Sequence, residues 1–255
     1  MMRIWALAFN TFRETIRNRI LMNILIFAIG LILLSLVVGE WSMGEQVKVI
    51  KDFGLSAMSL FGLLIAVFIG IRLMVQELEQ KTIYIIAVKP VHRWQIVTGK
   101  YLGLTLTLLI NIVLMAIALW VVDFIIEGRI DLGLIPAIIL IYLEILLMVA
   151  FSIFFASLMS PTLGAIATIV IFFMGHLSDY LYDFIRLYPD KGYHWLLKGI
   201  YYIVPNLEKL NIKMAAVEHL PQPPHAFAWG VVYGISYILI VMMFSCLIFE
   251  RKDLK

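Results

Sequence analysis

The chain has 255 residues, of which 63% are apolar (Ala, Val, Ile, Leu, Met, Phe, Trp, Tyr and Cys) and only 15% are charged. Soluble domains carry roughly 45–50% apolar and about 25% charged residues, so this chain has too few polar side chains to cover a soluble surface. The composition excludes a soluble enzyme, a nucleic-acid-binding domain and a disordered protein. The mean hydropathy of +0.99 indicates a multi-pass membrane protein, and the net charge of +3 is only mildly basic and suggests no nucleic-acid partner.

Residues 1–19 are predicted to form an amphipathic helix at the membrane surface. Trp5, Phe9, Phe12 and Ile16 recur at helical spacing, and polar residues fall on the opposite side of the helix. A helix of this type lies along the lipid headgroups with its apolar face inward. The alternative is a cytosolic extension of the first span. A signal peptide is excluded because no small-residue cleavage site follows the apolar run.

Six continuous apolar runs follow, each close to the roughly 20 residues that cross a bilayer as a helix. The predicted spans are 20–39, 55–75, 101–122, 134–158, 163–185 and 226–249. The runs do not alternate between polar and apolar residues, which excludes a β-barrel. The sequence therefore predicts an all-α, polytopic membrane protein with six transmembrane helices, forming one domain over residues 1–255.

The charges are divided unequally between the two sides of the predicted membrane. With six spans, both termini share one side, which holds twelve Lys or Arg against five acids, a net charge of +7. The other side has a net charge of −3, and Glu144 lies within a span. The positive-inside rule places the +7 side, with both termini, in the cytosol of a cell (plasma or inner) membrane.

The outer loop at 186–225 is long and partly apolar. Its stretch 195–204 is too short to cross the membrane. A re-entrant helix and a helix lying on the membrane surface both remain open for this stretch.

The inner loop between spans two and three reads ELEQKTIYIIAVKPVHRWQIVTGK, from Glu77 to Lys100. An acidic start, a Thr-Ile step, a Pro-Val element followed by an arginine, and a Gly-Lys pair recur in this order in the signature loop of type 2 ABC transporter permeases, which the chain resembles over essentially its whole length. Within that family it is similar to small stand-alone permeases of the nitrous-oxide-reductase maturation type. The residues that match the pattern are Glu77, Glu79, Lys81, Thr82, Pro90, Arg93 and Lys100.

The resemblance implies a permease subunit that moves a substrate across the membrane, by export. The 76–100 loop would be the coupling loop that docks a separate cytosolic ATPase, present in two copies and binding ATP and Mg²⁺. The permease would pair with a second copy of itself or with another permease. A break near Pro90 gives the loop a helix–break–helix form, which suits a lever. From the residues alone, the favoured interpretation is an ordinary basic loop in which Lys89, Arg93 and Lys100 contact anionic lipid.

No ATPase site is expected in the chain itself, because it lacks the GxxxxGK[ST] phosphate-binding sequence. We therefore expect no enzyme activity, no cofactor and no nucleic-acid partner for this subunit. Two other functions remain open. One is a maturation or mechanotransmission permease acting on an extracytoplasmic partner through 186–225, and the other is an ATP-independent carrier.

Two polar residues fall near the middle of predicted spans. Glu144 lies about ten residues, or roughly 15 Å, into span four, and Asn111 lies at a similar depth in span three. A charged residue at this depth is costly and usually functional. We expect Asn111 and Glu144 either to hydrogen-bond to each other or to face a polar translocation path.

A third group of polar residues lies at the outer end of span five. His176, Asp179 and Asp183 share one helix face. A metal site needs more ligands than this group offers, so a solvated helix end is the preferred interpretation and no metal is expected.

Overall fold

The computed structural model describes residues 2–42, 45–79, 92–187, 194–221 and 225–251. Within these ranges the regular structure is helical and no strand occurs, which confirms the predicted all-α class. Two short 3-10 helices cover Leu132–Leu134 and Leu207–Leu210. The α-helices are α1 (Met2–Ile16), α2 (Arg19–Glu40), α3 (Gln46–Glu79), α4 (Arg93–Glu127), α5 (Ile135–Leu158), α6 (Pro161–His176), α7 (Ser178–Leu187), α8 (His194–Ile203), α9 (Lys213–Val217) and α10 (Ala226–Arg251).

Five of the described helices, α2, α3, α4, α5 and α10, are each long and apolar enough to cross a membrane. Helices α6 and α7 form a sixth candidate span if they are taken together, although they are bent by 60° at Leu177. The chain therefore has the architecture of a multi-pass membrane protein. The predicted fifth span was continuous, and the structure corrects it to a broken one.

Helices α3 and α4 are longer than the predicted spans. Helix α3 begins at Gln46 instead of residue 55, and α4 runs from Arg93 to Glu127 instead of from 101 to 122. The added turns contain Lys51 and Asp123, which lie 3.4 Å apart as an ion pair. A hydropathy pattern ends at such charges, but the helix continues because the charges are paired with one another.

Helices α3 and α5 form the centre of the bundle. In each of them, 67% of the apolar span is buried, against 28% in α2 and α10. In α5, residues 144–153 are buried without interruption, so this part of the helix is surrounded by protein on all sides. The buried polar residues Ser59 of α3 and Glu144 of α5 consequently meet other helices instead of lipid.

Successive spans run antiparallel, which gives the bundle two ends. The basic end holds the start of α2, the end of α3, the start of α4 and the end of α10, and there Lys100 Nζ donates to the Leu73 carbonyl at 2.7 Å. The acidic end holds the start of α3 and the end of α4, where Lys51 meets Asp123.

Candidate functional site

The most deeply buried ionisable residue described is Glu144, in the central helix α5. Ser59 of α3 donates a hydrogen bond to Glu144 Oε1 at 3.2 Å. His176 Nε2 lies 3.4 Å from the same oxygen. The second oxygen, Oε2, is buried without a hydrogen-bond partner in the described part of the chain. Three helices thus supply one polar cluster, which we call the Glu144 cluster: Ser59, Glu144 and His176.

His176 is positioned by a contact within its own helix. Its Nδ1 lies 3.1 Å from the Phe172 carbonyl oxygen, which leaves Nε2 directed toward Glu144 Oε1. The His176 side chain is 20% exposed and that of Glu144 is 0% exposed, which makes His176 the member nearer the surface.

The segment 204–217, in the predicted outer loop, packs over this cluster. Its side chains Leu207 and Leu210 are 0% and 1% exposed. Gly175, next to His176, allows this contact, because a Cβ there would lie 2.5 Å from Leu207 Cγ. The charges of Glu208 and Lys213 also act on Glu144. The Glu144 cluster is therefore closed on this side by a docked segment of the chain.

Asn206 holds the docked segment in place. Its backbone N–H donates to the Tyr233 hydroxyl at 2.7 Å, and its Nδ2 donates to Asp179 Oδ1 at 2.7 Å. Its own Oδ1 accepts from the Glu208 N–H at 3.0 Å. The apolar stretch 195–204, for which a re-entrant helix and a surface-lying helix were both open, carries exposed residues such as Trp195, which favours the surface-lying helix. The part of the loop that enters the bundle is 204–217.

Asn111 does not belong to the Glu144 cluster. Its Nδ2 donates to the Thr107 carbonyl at 2.8 Å in its own helix, and its Oδ1 is buried without a described partner. Hydrogen bonds from Tyr101 to Leu146 and from Tyr142 to Thr105 connect α4 to α5. The predicted hydrogen bond between Asn111 and Glu144 does not form, because Asn111 Nδ2 is used within its own helix and the hydroxyl that bonds Glu144 is that of Ser59.

The Ser59 contact gives a direct test of this geometry. A Ser59→Ala variant should lower the free energy of unfolding by about 1–3 kcal/mol, since it leaves a buried carboxyl without its hydroxyl donor. The matched control is Ser56→Ala, one turn earlier on the exposed side of α3, which should leave stability unchanged. Thermal unfolding in detergent measures both. Equal melting temperatures for the two variants would show that Ser59 does not hold Glu144.

A second buried cluster, which the sequence analysis missed, lies at the acidic end. Lys51 Nζ lies 2.9 Å from Asp131 Oδ2, 3.4 Å from Asp123 Oδ1 and 3.5 Å from Glu127 Oε2. The side chains of Lys51 and Asp123 are 3% and 1% exposed. One ammonium thus joins the start of α3 to the end of α4 and to the following turn. The i,i+4 spacing of Asp123 and Glu127 was the available signal for this cluster.

Helix α1 packs tightly on the start of α4. Its small residues Ala8 and Thr11 face Gly103, where an added Cβ would lie 2.5 Å from the Ala8 carbonyl oxygen and 2.6 Å from Thr11 Cβ. Trp5 and Phe9 lie on its other face, at 63% and 50% exposed, whereas Phe12 and Ile16 are half-buried. This exposed face suits contact with a membrane surface, the role predicted for Trp5, Phe9, Phe12 and Ile16.

The predicted coupling segment is described only at its two ends. Glu77 and Glu79 end α3, and Arg93 begins α4. Lys81, Thr82 and Pro90 lie outside the described residues. Lys100 is 7% exposed and donates to the Leu73 carbonyl, so it connects α4 to α3 instead of presenting its charge to a partner.

The predicted group His176, Asp179 and Asp183 is divided. His176 turns toward Glu144, while Asp179 accepts from Asn206. Across the described ranges, no three His, Cys, Asp or Glu side chains are arranged to hold a metal ion.

Residues 42–255 match the model of a family described as "Protein of unknown function (DUF2705)". No curated protein matches the chain. The match begins after α2, so it includes both buried clusters but neither α1 nor the first span.

Proposed function

We propose that this chain, which belongs to the DUF2705 family, is the membrane-spanning permease subunit of an ATP-driven ABC transporter. In this proposal the basic end faces the cytosol, and a separate ATPase, in two copies, docks on the 76–100 segment. The permease pairs with a second permease chain, and the transporter exports its substrate. ATP and Mg²⁺ belong to the ATPase.

The observation that carries the proposal is that the 76–100 segment is connected directly to helices α3 and α4 and, through α4, to α1. The signature-like sequence joins α3 to α4, and Lys100 Nζ binds the Leu73 carbonyl at 2.7 Å across these two helices. Helix α1 packs on α4 at Gly99 and Gly103. A force applied to the segment by a docked protein would therefore move α1, α3 and α4 together.

Helix α3 also connects this segment to the Glu144 cluster. Ser59 and Glu77 belong to the same uninterrupted helix, eighteen residues apart, which corresponds to about 27 Å at 1.5 Å per residue. Movement of α3 would change the Ser59–Glu144 hydrogen bond. We propose that Glu144 and His176 line a polar path that segment 204–217 closes, and that movement of α3 opens it.

Cross-linking in cells tests the docking. A photo-reactive amino acid placed at Ile86, inside the proposed coupling segment, should cross-link to a cytosolic ATPase that carries a GxxxxGK[ST] sequence. The matched position is Trp195, which is exposed on α8 and should give no such product. Mass spectrometry of the cross-linked bands identifies the partner. Absence of an ABC ATPase at Ile86 would refute the proposed function.

Charge reversal provides a quantitative prediction for the same contact. Lys81→Glu/Arg93→Glu should reduce the amount of ATPase that co-purifies with the chain by about ten-fold or more, because two basic groups at the docking surface become acidic. The control Lys198→Glu changes an exposed lysine on α8 and should leave co-purification unchanged. Full transport by the chain in cells without the ATPase would instead support an ATP-independent carrier.

A further inference from the structure

A basic cleft lies at the junction of α1, α2 and α3, at the basic end of the bundle. It has a volume of about 360 Å³. Arg17 and Arg19 line it from the α1–α2 connection, and Arg72 lines it from the last turns of α3. Glu14 is the acidic residue of the lining, so the ionisable groups of the wall add to a net charge of +2.

The three arginines are available to a ligand. All three are exposed. Within the described ranges, none of their guanidinium groups forms an ion pair or a hydrogen bond, with Glu14 or with any other residue. Arg129, by contrast, pairs with Glu127 at 3.2 Å. Guanidinium groups suit phosphate oxygens in particular, because their planar donors match two oxygens at once.

Thr15 supplies an independent sign of a ligand. It lines the same cleft, is 1% exposed, and its hydroxyl has no hydrogen-bond partner in the described part of the chain. Other threonines within helices donate to the carbonyl four residues earlier, as Thr105, Thr107 and Thr168 do. A buried hydroxyl without a partner costs free energy, and a phosphate oxygen in the cleft would accept its hydrogen bond.

The surroundings of the cleft favour a lipid phosphate over a free one. The cleft lies where α2 begins its span and where α1, with its exposed Trp5 and Phe9, is placed to lie on the membrane surface. Ile20 lines the cleft and is 45% exposed, and Phe27, two turns further along α2, is 71% exposed. These exposed apolar side chains extend from the charged wall of the cleft along α2. An acyl chain extends in the same direction below its headgroup.

We propose that the cleft formed by Thr15, Arg17, Arg19 and Arg72 binds the phosphate headgroup of an anionic phospholipid. The lipid's phosphodiester sits among the three guanidinium groups, and its acyl chains follow the exposed face of α2. Such a lipid would connect helix α1 to the start of α2 and the end of α3, at the basic end of the bundle.

Native mass spectrometry of the full chain in detergent tests the proposal. With equal amounts of phosphatidylglycerol and phosphatidylcholine, the wild type should retain phosphatidylglycerol preferentially. Arg17→Gln/Arg72→Gln should weaken that retention by about 25-fold, since each basic group near a membrane surface contributes about 1 kcal/mol, or five-fold. The matched control, Arg3→Gln/Arg13→Gln, removes the same charge from α1 outside the cleft and should keep the preference.

Two further measurements separate the outcomes. Thr15→Val, which removes the hydroxyl and keeps the side-chain shape, should weaken phosphatidylglycerol retention while the melting temperature of the lipid-free protein stays the same or rises. Inorganic phosphate at 10-fold excess should fail to displace the lipid, and complete displacement would show a site for a soluble phosphate and overturn the lipid proposal. If the Arg17/Arg72 and Arg3/Arg13 variants lost equal amounts of phosphatidylglycerol, the retention would reflect general charge attraction. That result would also overturn the proposed lipid site.

Discussion

A Lys51→Met variant is expected to lose about 3–5 kcal/mol of stability, since removing one partner from a buried ion pair leaves uncompensated charge behind. In this protein a single ammonium faces three carboxylates, those of Asp123, Glu127 and Asp131. Asp123 is nearly inaccessible to water, so its charge cannot be screened by solvent. Thermal unfolding of the purified chain in detergent, at neutral pH, measures the loss.

The matched control for this prediction is one turn earlier on α3. Lys48 pairs with Glu45 at 3.1 Å, but both side chains are well exposed, at 48% and 66%. Lys48→Met should therefore change the melting temperature little. Adding Asp123→Asn to Lys51→Met should recover part of the lost stability, because it removes one of the stranded charges. Similar melting temperatures for Lys48→Met and Lys51→Met would contradict an ionised cluster.

The pH dependence follows from Asp131, which lies outside the spans. Burial raises the pKa of Asp131, but the hydrogen bonds from Lys51 and the Gly133 N–H, with the Lys51 charge, outweigh burial and hold the pKa below its ordinary value. A carboxyl with a lowered pKa stabilises the fold above its unfolded pKa of about 3.9, and that stabilisation is lost as the pH falls through the folded pKa. The gap between wild type and Lys51→Met should thus be widest at neutral pH and narrow on acidification through about pH 4.

Five of the six predicted spans correspond to continuous apolar helices, because lipid imposes one simple rule on each of them. A segment that crosses the membrane must satisfy its backbone internally, so a continuous apolar run of sufficient length becomes a helix. Helices α2, α5 and α10 accordingly match their predicted spans within two residues. Helices α3 and α4 exceed theirs, because Lys51 and Asp123 neutralise each other through a contact between residues 72 positions apart.

The partners of Glu144 could not be predicted from the sequence, because they too lie far from it along the chain. Depth counted along a helix gives the level of a residue but does not identify its partner. Asn111 bonds within its own helix instead of across to Glu144. Ser59 and His176 meet Glu144 from 85 and 32 positions away, and the bend at Leu177 that brings His176 to the cluster has no proline to mark it.

The docked segment 204–217 shows how polar residues can mislead a pattern analysis. The apolar composition of 195–204 left a re-entrant helix open as one of two alternatives, but its aromatic side chains Trp195 and Tyr202 are 73% and 75% exposed. The docked segment instead carries polar residues such as Asn206 and Glu208. Asn206 donates to Asp179 and accepts from the Glu208 N–H, and the Glu208 carboxylate accepts from Asn211, so covering these groups costs less than composition alone indicates.

A Gly103→Val variant is expected to detach α1 from α4, because the new Cβ would meet the Ala8 carbonyl oxygen and Thr11 Cβ at 2.5 and 2.6 Å. Both atoms belong to or adjoin the α1 backbone and cannot rotate away, so the two helices must separate. The control is Gly30→Val, which makes the same change in α2, where an added Cβ meets nothing within 4 Å.

Hydrogen exchange measured by mass spectrometry distinguishes these two variants. Surface helices of about fifteen residues are marginal without tertiary packing, so the amides of α1 in Gly103→Val should exchange at least ten-fold faster than in the wild type, while those in Gly30→Val should not. Helix α1 packs on the first turns of α4, where the 76–100 segment ends. The proposed function therefore adds a second expectation. Gly103→Val should retain its spans yet co-purify less ATPase, and unchanged exchange in α1 would show that this contact does not hold the helix in place.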